Sequence, residues 1–198
     1  MYYYVMELDI SIGAIISGII VYLLYDTYVL GAREYVTSGI DGRRYLVRSL
    51  PDKQQAADLL AKVNERLETL IKHMQKSAPN DSRTIRLVGN FDPNKICEGN
   101  DSNEYTSYSV NKGEQIVFCI RQKDKTNTLI DVNLLAFVGI HELGHLASAT
   151  VGHNDEFWEN FRWLLAEAIQ VGVYIEQDYK AKPVEYCGTK VTSSPLDN

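Results

Sequence analysis

The chain has 198 residues, 45% of them apolar, which is enough for one domain with a substantial core and an appendage. Its net charge of −6 excludes the broad basic footprint of a dedicated nucleic-acid binder. Three cysteines without a CxxC pair, Cys97, Cys119 and Cys187, exclude a disulfide framework; reduced thiols in a cytosolic domain are the simpler reading, with one disulfide left open.

Residues 10–25 read ISIGAIISGIIVYLLY, without a charge. With the short extension Tyr28, Val29 and Leu30, this run predicts a transmembrane helix within an N-terminal anchor over residues 1–30. Tyr2, Tyr3 and Tyr4 before it, and Tyr25 and Tyr28 after it, suit the two membrane interfaces. A buried helix and a cleaved signal peptide are the alternatives. The second is disfavoured because Glu7 and Asp9 stand where a signal peptide carries Lys or Arg. Arg33, Arg43, Arg44 and Arg48 all follow the span, so the positive-inside rule places the rest of the chain on the cytosolic side. Gly13 with Ser17, and Ala14 with Gly18, have the small-xxx-small spacing that lets helices approach closely.

Residues 31–51 read as a juxtamembrane connection, with Tyr45, Leu46 and Val47 as a short strand or packing contact. A domain over residues 52–198 then opens on a helix. Asp52 is its N-cap, with Gln55 three residues on as in a capping box. Ala56, Leu59, Leu60, Val63, Leu67, Leu70 and Ile71 recur at helical spacing. Residues 84–88 suggest a strand, and residues 89–115, rich in Asn, Asp, Gly and Ser, a loop. QIVFCIR, residues 115–121, is β-branched and aromatic and predicts a strand. A helix follows over residues 131–150, capped by Asp131. Another runs over residues 155–173, capped by Asn154. The tail from Tyr174 is mostly irregular. The fold class is α+β: a long helix and a small sheet packed against the helix over residues 131–150.

Residues 134–153 read LLAFVGIHELGHLASATVGH. His141 and His145 are four apart on an apolar helix, so both imidazoles project from one face and can share a metal. Glu142 follows the first and can act as general base on a metal-activated water. A catalytic zinc needs a third protein ligand. His153 is the best candidate, because Gly152 lets the chain reverse just before it. Asp155, Glu156, Glu159 and Glu167 are the rival ligands, and each is better explained by helix-terminus charge or surface solvation. Three of the four histidines fall within thirteen residues; the fourth, His73, lies on the long helix. Tyr174, Tyr179 and Tyr186 are candidate oxyanion donors. Ile116, Val117 and Phe118 are a candidate substrate-pairing strand, with a plain core strand as the alternative.

HELGH followed by GHNDEFW resembles the WLM and SprT-like zincin metallopeptidases. The resemblance implies His141, His145 and His153 as zinc ligands, Glu142 as catalytic acid/base, and Phe157 with Trp158 as the aromatic pair beneath the metal-binding loop. No methionine follows His145, so the Met-turn of metzincins is absent. YLVRSLPDKQQAADLLAKVNERL, SYSVNKGEQIVFCIR and DYKAKPVEYCGT resemble uncharacterised membrane-anchored proteins of large nucleocytoplasmic DNA viruses read as metallopeptidases. This likeness implies an N-terminal anchor and a zincin domain. The expected function is a membrane-tethered zinc peptidase acting on protein or peptide substrates. The alternative is a non-catalytic membrane or virion structural or interaction protein that retains a zinc site.

Overall fold

A computed structural model of the chain describes residues 12–24, 33–100, 106–124 and 126–197. The first described segment is a helix, α1, over residues 12–24. Its large side chains, among them Ile15, Ile19 and Leu24, are exposed. No described helix is long and apolar enough to cross a membrane. This overturns the expected N-terminal transmembrane helix and points against a single-pass membrane protein with a cytosolic catalytic domain. Among the described residues, the helical part of the uncharged run covers thirteen positions, fewer than the roughly 20 a span needs. Tyr2, Tyr3, Tyr4, Tyr25 and Tyr28, assigned to the membrane interfaces, lie outside the described residues.

Five strands form one mixed sheet: β1 (Arg33–Thr37), β2 (Arg44–Arg48), β3 (Ile96–Glu98), β4 (Tyr108–Val110) and β5 (Gln115–Phe118), in the order β1-β2-β3-β5-β4. β1 and β2 are an antiparallel hairpin. β2, β3 and β5 run parallel, and β4 closes the far edge antiparallel to β5. The stretch read as a connection therefore supplies two strands, with Tyr45 and Val47 alternating into the core. β3 and β4 arise inside the stretch read as loop.

α2 (Lys53–Ser77) covers the sheet with one apolar stripe that includes Leu60, Leu67 and Met74. Asp52 precedes it but its side chain makes no cap; its carboxylate instead accepts from Arg121 Nη1 at 2.5 Å. Arg121 also donates to Glu98 Oε1 at 2.7 Å, and Glu98 Oε2 accepts from the Arg48 amide at 2.7 Å. The buried Arg121 and Glu98 are thus paired with each other, as burial requires, while Arg121 Nη2 is buried without a hydrogen bond.

The expected strand over residues 84–88 is instead α3 (Ser82–Asn90). The Asp81 carboxylate accepts from the Arg83 amide and caps it, and Thr84 and Leu87, three apart, bury one face. α4 (Val132–Ala147) runs through the centre, packed by α2, α3 and α5 (Asp155–Gln170). Asp131 caps α4 by accepting from the amides of Asn133 and Leu134, and Asn154 caps α5 through the Phe157 amide, both as expected.

The tail forms a second hairpin, β6 (Val184–Tyr186) and β7 (Thr189–Val191). Its turn residues Cys187 and Gly188 have φ of 51° and 83°, the mirror-image geometry that suits tight hairpins. A disulfide joins Cys187 to Cys119 at the end of β5, closing a separation of 68 residues. The reduced-thiol expectation is thereby corrected for two of the three cysteines; Cys97 is a buried free thiol. The spacing rule missed the pair because chain folding alone brings these two residues together.

Candidate metal centre

α4 is apolar on nearly all sides, because α2, α3, α5 and β4 surround it. Two glycines make this closeness possible. A Cβ on Gly139 would lie 3.0 Å from Leu67, and one on Gly144 would lie 3.1 Å from Phe157 and 3.3 Å from Phe161. The glycine of HELGH therefore sets how near α5 comes to α4. Leu143 and Leu146, expected as packing residues, are fully buried.

His141 and His145 lie one turn apart on one face of α4, their ring centroids 5.0 Å from each other. After Ala147 the chain leaves the helix. Gly152, at φ 92°, turns it back, and His153 arrives over the same face. The His153 Nε2 lies 3.1 Å from that of His141 and 3.2 Å from that of His145. These three are the His/Cys/Asp/Glu group among the described residues whose atoms converge as a metal site does.

Phe157 lies beneath the three rings. It stacks on His145 at 4.2 Å and 25°, and meets His141 and His153 at 4.8 and 4.7 Å. Trp158 stays partly exposed and donates its indole N–H to the His153 carbonyl at 3.1 Å. Burial, with the neighbouring imidazoles adding to it, pushes the pKa of His141 down to about 3. Burial together with His153 and Lys112 takes His145 down to about 4. Both imidazoles are therefore neutral at pH 7, the form that binds metal.

Glu142 is 3% exposed, and burial pushes its carboxyl up to about 7, opposed by hydrogen bonding to Ser109 on β4. Its Oε2 is buried with no partner. A buried carboxylate oxygen without a donor is costly unless another molecule supplies one.

The remaining candidates separate clearly. Glu156 grips the loop after α4, its carboxylate accepting from the amides of Ala149 and Thr150 at 2.8 and 3.0 Å. Those bonds and the Thr150 hydroxyl hold its pKa down to about 2. Glu167 pairs with His73 at 2.6 Å, away from the centre. Asp155 and Glu159 are exposed and outside the converging group. The hydroxyls of Tyr174 and Tyr179 face each other at 3.4 Å, beside Phe137. The Tyr186 hydroxyl is buried, bonded to Ser107 Oγ at 2.6 Å and donating to the Cys119 carbonyl at 3.0 Å. Its pKa is raised by burial, and secondarily by the charge of Glu142.

Ile116, Val117 and Phe118 are correctly a strand, but β5 lies between β3 and β4 and cannot accept another strand. The edge beside Glu142 is β4. Sequence reading missed β4, Ser109 and Lys112; the Asn-Lys-Gly turn signal at residues 111–113 was the one local cue to a hairpin there.

No family model matches the chain. It is 30% identical to "Uncharacterized protein R325" of Acanthamoeba polyphaga mimivirus over 192 residues, which cover 94% of this chain and 96% of that one. It is 23% identical to "Uncharacterized protein 136R" of Invertebrate iridescent virus 6 over 172 residues, covering 85% and 92%. Among solved structures it is similar to the crystal structure of Wss1 from Saccharomyces cerevisiae, with a TM-score of 0.50 and 16% identity over 64% of this chain and 86% of that chain. A Wss1 mutant matches with the same score over 87% of its chain. At this identity the likeness to Wss1 is one of fold: a mixed sheet with helices packed on it. The 30% identity runs through nearly all of both viral chains, so this protein belongs to the family of mimivirus uncharacterized protein R325.

Proposed function

We propose that the chain is a zinc-dependent, WLM-like peptidase in which His141, His145 and His153 hold the metal and Glu142 is the general base. The observation that carries this reading is the convergence of three imidazoles beside a buried carboxylate with an unpartnered oxygen. The donor set fits zinc. Ligand nitrogens at about 2.05 Å around a tetrahedral ion lie roughly 3.3 Å apart, close to the 3.1 and 3.2 Å seen between ring nitrogens. Three histidines leave a fourth position open, the mark of a catalytic rather than a structural site. The fold shared with Wss1, and the likeness of HELGH and GHNDEFW to WLM zincins, support the same reading.

Zinc held there would supply Lewis acidity toward the scissile carbonyl and would lower the pKa of a water to about 7. Glu142 takes the proton of the attacking water and passes it to the leaving amine. Its pKa, raised to about 7, suits both directions of transfer near neutral pH. The substrate is a protein or peptide laid along β4, an outer strand of the sheet among the described residues, as an added antiparallel strand.

The test is cleavage of fluorescently labelled, unfolded casein by the zinc-loaded full chain. Cleavage that stops with a chelator and is absent in Glu142→Gln is expected. A zinc-loaded, folded chain that leaves casein and a mixed peptide library intact would overturn the reading in favour of a non-catalytic zinc protein.

A further inference from the structure

The turn between β4 and β5 reaches across to the loop that carries the third histidine. Asn111, Lys112 and Gly113 have φ of 44°, 54° and 117°. Left-handed backbone is uncommon for lysine. Gly113 is required where it stands, since a Cβ there would lie 2.0 Å from the Asn90 carbonyl oxygen. From this turn the Lys112 ammonium donates to three successive carbonyls, those of Ser148 at 2.9 Å, Ala149 at 2.6 Å and Thr150 at 3.2 Å. An ammonium has three donors, and all three are used.

Two of these residues are held through their amides as well. The Glu156 carboxylate takes the Ala149 and Thr150 amides, and also the Thr150 hydroxyl at 2.5 Å. The segment is neither helix nor strand, so its backbone polar groups have no ladder to satisfy them. A cation binds its carbonyls and an anion its amides. Three residues further on, His153 must meet His141 and His145 within a few tenths of an ångström to complete a metal site.

We propose that Lys112 is a positioning residue for the third metal ligand: by fixing Ser148 to Thr150 it sets His153 over His141 and His145. This rests on the three-histidine zinc reading. It also couples metal and substrate, because Lys112 lies two residues beyond β4, the edge strand whose Ser109 faces Glu142. A shift of the substrate strand would pull on the metal loop through one side chain.

The experiment measures zinc affinity of the folded full chain by competition with a chromogenic chelator. Lys112→Met keeps the apolar stem and removes the donors. It is expected to weaken zinc binding at least tenfold, in line with other residues that orient metal ligands. Lys112→Arg should recover part of the loss. In a His153→Ala background, Lys112→Met should cost nothing further, because the two act as one unit. Lys112→Gln, which keeps an amide donor, serves if Lys112→Met does not fold, and an intermediate loss is expected of it. Affinity equal to the parent's in either variant would overturn the proposal. So would an undiminished effect in the His153→Ala background, which would mark a general role in folding. A parent chain that binds no zinc would instead remove the zinc reading, and this inference with it.

Discussion

Replacing Phe157 by alanine tests whether the metal centre is assembled by packing. The side chain is fully buried and touches all three histidine rings and the backbone turn at Gly144. Truncating a buried phenylalanine costs about 3–5 kcal/mol, the transfer loss plus the cavity left behind. The site sits at the meeting of α4 and α5, where the helices are already as close as Gly144 allows, so the cavity cannot collapse and the upper part of that range applies. For a chain of this length the cost corresponds to a fall in Tm of about 8–20 °C. Urea unfolding of the metal-free full chain, followed by circular dichroism, reads the cost; chelator competition reads the metal. Phe157→Leu keeps most of the apolar volume and should lose about 1 kcal/mol. It should still weaken zinc binding, because the stacked support under His145 is gone. A loss below about 1 kcal/mol in Phe157→Ala, with zinc affinity unchanged, would refute the claim that this ring holds the ligands in place.

Glu142→Gln should change the pH dependence of stability in the metal-free protein. Between the unfolded carboxyl's ordinary range and about 7, the folded chain keeps a proton on Glu142 that the unfolded chain has released. Stability from this group is therefore full at low pH and lost as pH rises through about 7. Glutamine removes that loss, so the variant should gain about 3 kcal/mol more at pH 8 than at pH 4 relative to the parent, read by urea unfolding at both. Arg121→Leu should cost about 3–5 kcal/mol by leaving Glu98 buried without its cation, and Glu98→Gln in the same chain should restore part of it. Gly144→Ala should push Phe157 and Phe161 away from α4 and lower zinc affinity before it abolishes folding, seen as weaker retention at an unchanged far-ultraviolet spectrum. Asp131→Ala should lower stability by about 1 kcal/mol through loss of the α4 cap, without altering metal stoichiometry.

The sequence made the centre of the site legible because its signals are local. Histidines four apart share a helix face by geometry alone, and Gly152 before His153 announces a reversal within hydrogen-bonding reach. The caps Asp131 and Asn154 are read the same way. What escaped depends on partners far along the chain. β3 and β4 are three residues each, too short for an alternating pattern, and exist because Ile96 pairs with Ile116 and Tyr108 with Val117. Residues 84–88 look like a strand by composition, yet Asp81 caps them and α4 packs on them as a helix. Glu156 reads as helix-terminus charge and Lys112 has no signal of its own, and only the fold brings both to the loop over residues 148–150. Cys119 and Cys187 meet only once the C-terminal hairpin folds back. The N-terminal misreading has a different origin: an apolar run measures hydrophobicity, whereas crossing a bilayer also requires helix length.

The most direct test of the account is X-ray absorption at the zinc edge on the purified full chain, together with metal content by mass spectrometry. The account predicts about one zinc per chain, with three imidazole nitrogens and one oxygen at roughly 2.0–2.1 Å, and a weakly held or absent ion in His153→Ala. No zinc in a folded, zinc-supplied chain would contradict it, and so would a closed shell of four protein ligands, which leaves no position for a reacting water.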